Sequence, residues 1–404
     1  VMGGADYYML LHHIDDDTMI APGPRGSRWA DIKRYASILR RVLETPEPTP
    51  AILRDAGLTK DDCSFMVSHL YSLLPPLQVT PGMDSQRQTQ ALDTYLGHYL
   101  LKMIRLWKLV AEVIELDVDE LRPIRVVDAV NHDGCPERRV TMVWSSDIAV
   151  QGPTLICDGT ADDEILRRFW PLAAVVRVDA RSDHYHAIQV VDRPVSKTMI
   201  GYNADGKHES PRPDEEARSR NHRAKIARLA EVEASKGGGK IAIITHKPVA
   251  ERMRAEHPNL VGLGIEIGFE RPDGRWSGHF GAIRGLDRWR GVGAVMVVGR
   301  QRPPVRDIED RARAIFYKDS RSIQYLIGDG LPTETRGLRM ADGRGRAVEV
   351  ETHPDPLVSR VLDQIIRAEL EQAVHRGRLL RRTAATPVLV IILTNVPLNL
   401  TIHE

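Results

Sequence analysis

From Pro153 onward, short, mostly apolar runs alternate with stretches of helical spacing, and no other feature narrows the fold as much. Residues 154–157, 175–178, 187–191, 241–245, 294–298, 347–351 and 388–394 read as strands. Between them, residues 163–169, a segment ending near Glu233, a segment ending near Glu256, residues 307–317 and residues 356–380 read as helices. Short runs that are apolar on both faces belong inside a sheet covered on both sides, and helices between them supply the crossovers. The expectation is an α/β fold with a doubly wound parallel sheet.

The N-terminal part reads differently. Residues 7–14 look like a buried strand running into Asp15-Asp16-Asp17, and the C-terminal end of a parallel strand is where an α/β fold places metal-binding or catalytic carboxylates. Residues 29–43 have helical spacing, Thr59-Lys60-Asp61-Asp62 carries a capping signature, and residues 85–116 form a long amphipathic pattern. An inserted helical subdomain is expected at 29–121. Its aromatic stripe (Tyr95, Tyr99, Trp107) is read as core rather than as a base-stacking surface. Residues 124–130 and 139–144, joined by a turn at His132-Asp133-Gly134, read as a hairpin.

With 404 residues and 42% apolar content, the chain has room for two or three domains with ordinary cores. A net charge of +1 leaves nucleic-acid contact to local patches rather than to a global field. Cys63, Cys135 and Cys157 lie far apart in no paired spacing. That argues against a disulfide framework or structural zinc and for a reducing cytoplasm. No apolar run reaches the length of a membrane span, and no signal peptide is visible, so no membrane partner is expected. The chain starts on a strand-like run without Met, which is read as a sequence continuing upstream.

Three segments carry chemistry. Gln372-Ala373-Val374-His375-Arg376-Gly377-Arg378 ends the last long helix, and its two guanidiniums suit the charge that develops on a transferred phosphoryl group; a solvated basic helix end is the plainer reading. Asp158-Gly159-Thr160-Ala161 is a turn after a strand, where a small hydroxyl side chain can bond a metal-site carboxylate and the backbone of the next domain; a good turn and N-cap sequence is the plainer reading. Thr245-His246-Lys247 is a strand-to-helix corner with free backbone N–H groups, suited to phosphate. Lys236 to Lys240 imitates a phosphate loop without being one. Position 234 is Ala and 241 is Ile, and the run precedes a strand instead of following one. These 404 residues contain no phosphate loop.

In order along the chain, Asp158-Gly159-Thr160-Ala161, Thr245-His246-Lys247, Ala282-Ile283-Arg284-Gly285-Leu286-Asp287 and Gln372…Arg376-Gly377-Arg378 resemble the third to sixth motifs of superfamily 2 helicases. Asp15-Asp16 is similar to the second. More narrowly, the chain resembles the helicase portion of primase–helicase proteins carried by phages and plasmids. It departs from the pattern at Asp16, where the family has Glu, at His375, where it has Gly, and in the spacing of the second arginine. The resemblance implies two RecA-like lobes: the end of the first at 1–28, its return strands at 122–152, and the second at 153–404. It implies ATP and Mg²⁺, with Asp15 holding the metal and Asp16 orienting water. Arg376 and Arg378 would then meet the γ-phosphate. Gln372, Gly285, Asp287, Asp158 and Thr160 would line the nucleotide side. Thr245, Lys247, His279 and Arg284 would contact single- or double-stranded nucleic acid, with DNA favoured over RNA. A primase domain or replication proteins are the other partners implied. Two alternatives stand beside it: a degenerate helicase-like module that binds without turnover, and a metal-dependent nuclease using Asp15 to Asp17 with His12 or His13.

Overall fold

The computed structural model describes all residues except 1, 21–25, 27, 78, 81, 94–96, 132, 146–147, 149–151, 179, 181, 193–194, 203–211, 238 and 329, with the backbone alone at 2–6 and 93. Tyr95, His132 and most of the polar stretch 203–222 thus lie outside the described residues. The chain forms two compact units, Val1–Val150 with Arg306–Tyr325, and Gln151–Val305 with Leu326–Glu404. No helix among the described residues is long and apolar enough to cross a membrane.

In the first unit, β1 (Met2–Leu10), β2 (Ile124–Val130) and β3 (Pro136–Trp144) form an antiparallel sheet in the order β1-β3-β2. Against it lie α1 (Trp29–Glu44), α2 (Lys60–Ser72) and α3 (His98–Val113). Leu39, Leu43, Met66, Trp107, Val140 and Met142 share one core. Helices and sheet therefore form a single body, with no boundary at residue 121 or 122. The long pattern at 85–116 is two helices, Ser85–Asp93 and α3. The parallel strand expected at 7–14 is corrected. β1 pairs antiparallel with β3, and Leu11–Asp15 turns into a 3₁₀ helix. Apolar content marks a buried strand, but only the neighbour decides its direction.

The second unit holds the parallel sheet. β4 (Tyr185–Gln189), β5 (Ile241–Ile244), β6 (Ile265–Ile267), β7 (Ala294–Val298) and β10 (Val388–Leu393) pair in the order β4-β10-β7-β5-β6, every neighbour parallel. On one face, Ile241, Ile243, Met296 and Ile391 pack with residues of α4 (Pro213–Ser235) and α5 (Lys247–Glu256). Strand side chains alternate faces, so Val295 turns to the other side, toward the end of α6 (Pro356–Val374). β8 (Thr333–Met340) and β9 (Gly345–Glu351) form an antiparallel hairpin joined in parallel by β11 (Thr401–Ile402), so the strand expected at 347–351 lies outside the parallel sheet. Two expected strands, 154–157 and 175–178, do not form: Leu155 is 87% exposed and Val178 84%. Both are mostly apolar, yet among the described residues neither has a strand beside it to hydrogen-bond. The expected helix at 307–317 is Val305–Ile315, and all but its first residue belongs to the first unit.

Candidate functional site

The end of α6 is built with little freedom. Asp355 caps its start, accepting from the N–H groups of Leu357 (2.8 Å) and Val358 (3.0 Å), with Pro356 in the first turn. The helix stops at Val374. Two 3₁₀ turns follow, His375–Gly377 and Leu379–Arg381, and Arg378 between them takes the left-handed conformation (φ 54°, ψ 46°). It is the one non-glycine residue with positive φ among those described. Such a backbone costs about 1–3 kcal/mol and persists where its surroundings impose it. They do so here: a Cβ on Gly377 would sit 2.9 Å from Val295 Cγ2, so the turn lies flat against the sheet.

The arginines of this turn reach one neighbouring segment. Arg376 donates from Nη1 to the Leu286 carbonyl (2.6 Å) and from Nε to the Gln372 carbonyl (3.2 Å). Arg378 donates from Nε (2.9 Å) and Nη2 to Asp287 Oδ1. Arg382 donates to the carbonyls of Gly377 (2.7 Å) and Val292 (2.8 Å). The segment 280–287 is in turn fixed along α6. Phe280 N–H donates to the Thr245 carbonyl (2.9 Å), and Gly281 N–H to the Glu369 carboxylate (2.6 Å). Gly285, at φ 71°, makes the left-handed turn before Leu286.

The Asp158 turn meets the same helix. Asp158 Oδ1 accepts from Thr160 N–H (2.7 Å) and Oγ1 (2.9 Å), and Gln372 Nε2 donates to Thr160 Oγ1 (3.4 Å). Asp162 caps Asp163–Phe169 and pairs with Arg360 at 2.6 Å. Three segments with motif resemblance, spread over the second unit's sequence, therefore converge on α6: 158–162, 281–287 and 372–378.

At the C-terminal end of β5, Thr245 is fully buried and its Oγ1 has no hydrogen-bond partner among the described residues. Burial takes it off any surface a nucleic-acid strand could touch. His246 follows, its ring edge-on to Phe280 with centroids 5.2 Å apart. Burial, with Lys197 and His279 nearby, pushes its pKa down to about 4. His279 Nδ1 bonds the Phe280 carbonyl (2.7 Å). Of the expected strand contacts, Lys247 and Arg284 are exposed.

No protein-family model, no curated protein and no solved structure matches this chain.

The opening carboxylates have local partners within their own unit. Asp15 Oδ1 lies 2.8 Å from Arg40 Nη1. Asp16 Oδ1 accepts from Thr18 Oγ1 (2.6 Å) and N–H (2.8 Å), bonds that hold it below the usual carboxylate range. Asp17 is paired with Lys33. Among the described residues no group of three or more His, Cys, Asp or Glu could hold a metal ion. Each of the three carboxylates has its own local partner, an arrangement that does not fit Mg²⁺.

Glu369, Arg290, Arg381 and Arg382 also belong to this site, and motif reading misses them. Glu369 had a visible signal, because it falls on the apolar stripe of α6 beside Ile366, Leu370 and Ala373, all buried. A carboxylate on a buried stripe calls for a hydrogen-bond donor, and the Gly281 N–H supplies it.

Proposed function

We propose that the second unit is a RecA-like lobe of an ATP-dependent nucleic-acid translocase of the superfamily 2 helicase kind. The observation that carries this reading is the direct tie between two segments about ninety positions apart: Arg376 on the Leu286 carbonyl and Arg378 on Asp287. In such a motor the charge-neutralising arginines and the strand-sensing loop must move together. Here they share hydrogen bonds.

The lobe's own residues supply charge and position. Arg376 and Arg378 present guanidinium forks, whose donors can pair phosphate oxygens two at a time. Gln372 connects the same turn to Thr160. In this reading Arg284, which is exposed on the bonded loop, touches the phosphate backbone, and a pull on the strand is felt at the arginines. The nucleotide's grip comes from elsewhere, since no phosphate loop lies in this sequence.

ATP hydrolysis by the natural protein that carries these residues, with and without single-stranded DNA, tests the reading. The expected result is DNA-stimulated turnover that falls by at least about 100-fold in Arg376→Ala. Equal turnover in the variant removes the arginine assignment. A second reading, strand binding without hydrolysis, is favoured by guanidiniums that already have internal partners. It predicts DNA binding with no turnover in the wild type.

A further inference from the structure

Asp287 stands in a ring of cations out of proportion to its single charge. Oδ1 takes both bonds from Arg378, while Oδ2 faces Arg290 Nη1 at 3.9 Å. Arg381 is among the charges acting on its carboxyl, and Asp287 in turn acts on Arg376. Among the described residues, Asp287 is the one carboxylate bonded to any guanidinium of this set. The carboxylate is 51% exposed and Arg290 is 78% exposed, so water and solutes reach the cluster freely.

Arg378 is bonded to Asp287 and Arg290 stands 3.9 Å from it, while Arg376, bonded to carbonyls and near Glu369 as well, and Arg381 lie on the same turn as Arg378, so four guanidiniums share this corner with two carboxylates and repel each other. A carboxylate offers two oxygens and one negative charge. A run of linked phosphates offers several of each, in the geometry arginine forks pair best. We propose that Arg290, Arg376, Arg378 and Arg381 form an oligophosphate-binding site in which Asp287 is the internal placeholder that the ligand displaces. Arg290 and Arg381 lie outside every motif reading, and Asp287 becomes a competitor of the ligand rather than one of its contacts. The proposal shares Arg376 and Arg378 with the motor reading and deepens it, but it requires no hydrolysis.

The test is calorimetric titration of the 404-residue chain with inorganic tripolyphosphate at low salt, each variant first checked by its melting curve. Asp287→Asn is expected to bind about two- to fivefold more tightly, the gain from releasing one exposed ion pair. Asp287→Ser, which lacks the amide, is expected to do the same. Arg290→Ala and Arg381→Ala are expected to bind about threefold more weakly. Unchanged or weaker binding in both Asp287 variants overturns the proposal, as does no binding in wild type and variants alike. A competing single-stranded 12-mer separates the two sources of phosphate: displacement of tripolyphosphate assigns the site to a nucleic-acid backbone, and failure to displace it assigns the site to a nucleotide's phosphate chain. Loss of ATP turnover in Arg376→Ala beside unchanged binding in the Asp287 variants would sink this inference and leave the motor reading standing.

Discussion

His246 is an imidazole kept neutral by its surroundings. Its ring is mostly buried, Lys197 and His279 add positive charge nearby, and its pKa falls to about 4. In the unfolded chain it returns to the ordinary value near ~6.5. Above that value both states hold the neutral ring and its ionisation contributes nothing to stability. As pH falls from about 6.5 toward 4, the unfolded chain takes up the proton first, so stability drops with pH. Between pH 7 and 5 the wild type is expected to lose about 2 kcal/mol more than His246→Gln, measured by urea unfolding at both pH values. Equal losses would mean that the ring titrates freely in the folded protein. Gly377 makes a steric prediction at the same scale. The 2.9 Å approach to Val295 Cγ2 leaves no room for a methyl group, so Gly377→Ala is expected to destabilise by about 1–3 kcal/mol. An unchanged denaturation midpoint would show that the turn can lift off the sheet at no cost. Neither property was legible in the sequence. Motif spacing drew attention to Arg376 and Arg378, but the glycine between them is explained only by a valine some eighty residues earlier.

Helix starts were the most legible elements, because their signals are local. Thr59 and Asp62 form the reciprocal cap their spacing announces: Thr59 Oγ1 accepts from Asp62 N–H (3.2 Å) and Asp62 accepts from Thr59 N–H (2.9 Å). Thr59→Ala is expected to cost about 1 kcal/mol, and adding Asp62→Ala should cost less than the sum of the two singles, since both act in one motif. A strictly additive double-mutant cycle would show that the two bonds form independently. The central strands β5, β7 and β10 were legible for a related reason, each being a run of aliphatic residues too short for a helix. Residues 154–157 carry the same signature and form no strand. A strand is completed by its neighbour's hydrogen bonds, and composition does not reveal whether a neighbour is at hand. β8 shows the opposite failure. Thr333–Met340 buries only Leu338, so no apolar run marked it, and its pairing with β9 and β11 makes it a strand. The antiparallel direction of β1 was invisible for the same reason.

At the scale of the whole molecule, the chain path decides what holds together. The chain leaves the first unit near residue 150 and builds four of the five parallel strands. It then returns for Arg306–Tyr325 before completing the sheet with β10. The return segment is fastened in the first unit by a buried cation. Arg122 is 1% exposed and donates to the carbonyls of Phe316 (2.9 Å), Asp319 (2.6 Å) and Arg321, with Glu120 Oε1 at 2.8 Å from its Nε. One guanidinium thus ties together three backbone carbonyls of the return segment, one of which, on Phe316, also accepts from the Asp319 N–H (2.9 Å). Arg122→Met keeps the apolar stem and removes every donor, so three carbonyls lose a charge-assisted bond and Glu120 keeps only the Tyr325 hydroxyl (2.6 Å), which is expected to cost about 3 kcal/mol. The loss should be local. Hydrogen exchange is expected to quicken in peptides covering 124–144 and 306–325 and to stay unchanged in β5 and β7, whose bonds are made within the parallel sheet. Arg122→Lys, which keeps the charge but not the fork, should fall between the two, because a single ammonium cannot span three carbonyls in the same geometry. If Arg122→Met instead quickened exchange equally across both units, the return segment would be stabilising the fold as one cooperative block, and the local role of Arg122 would be wrong.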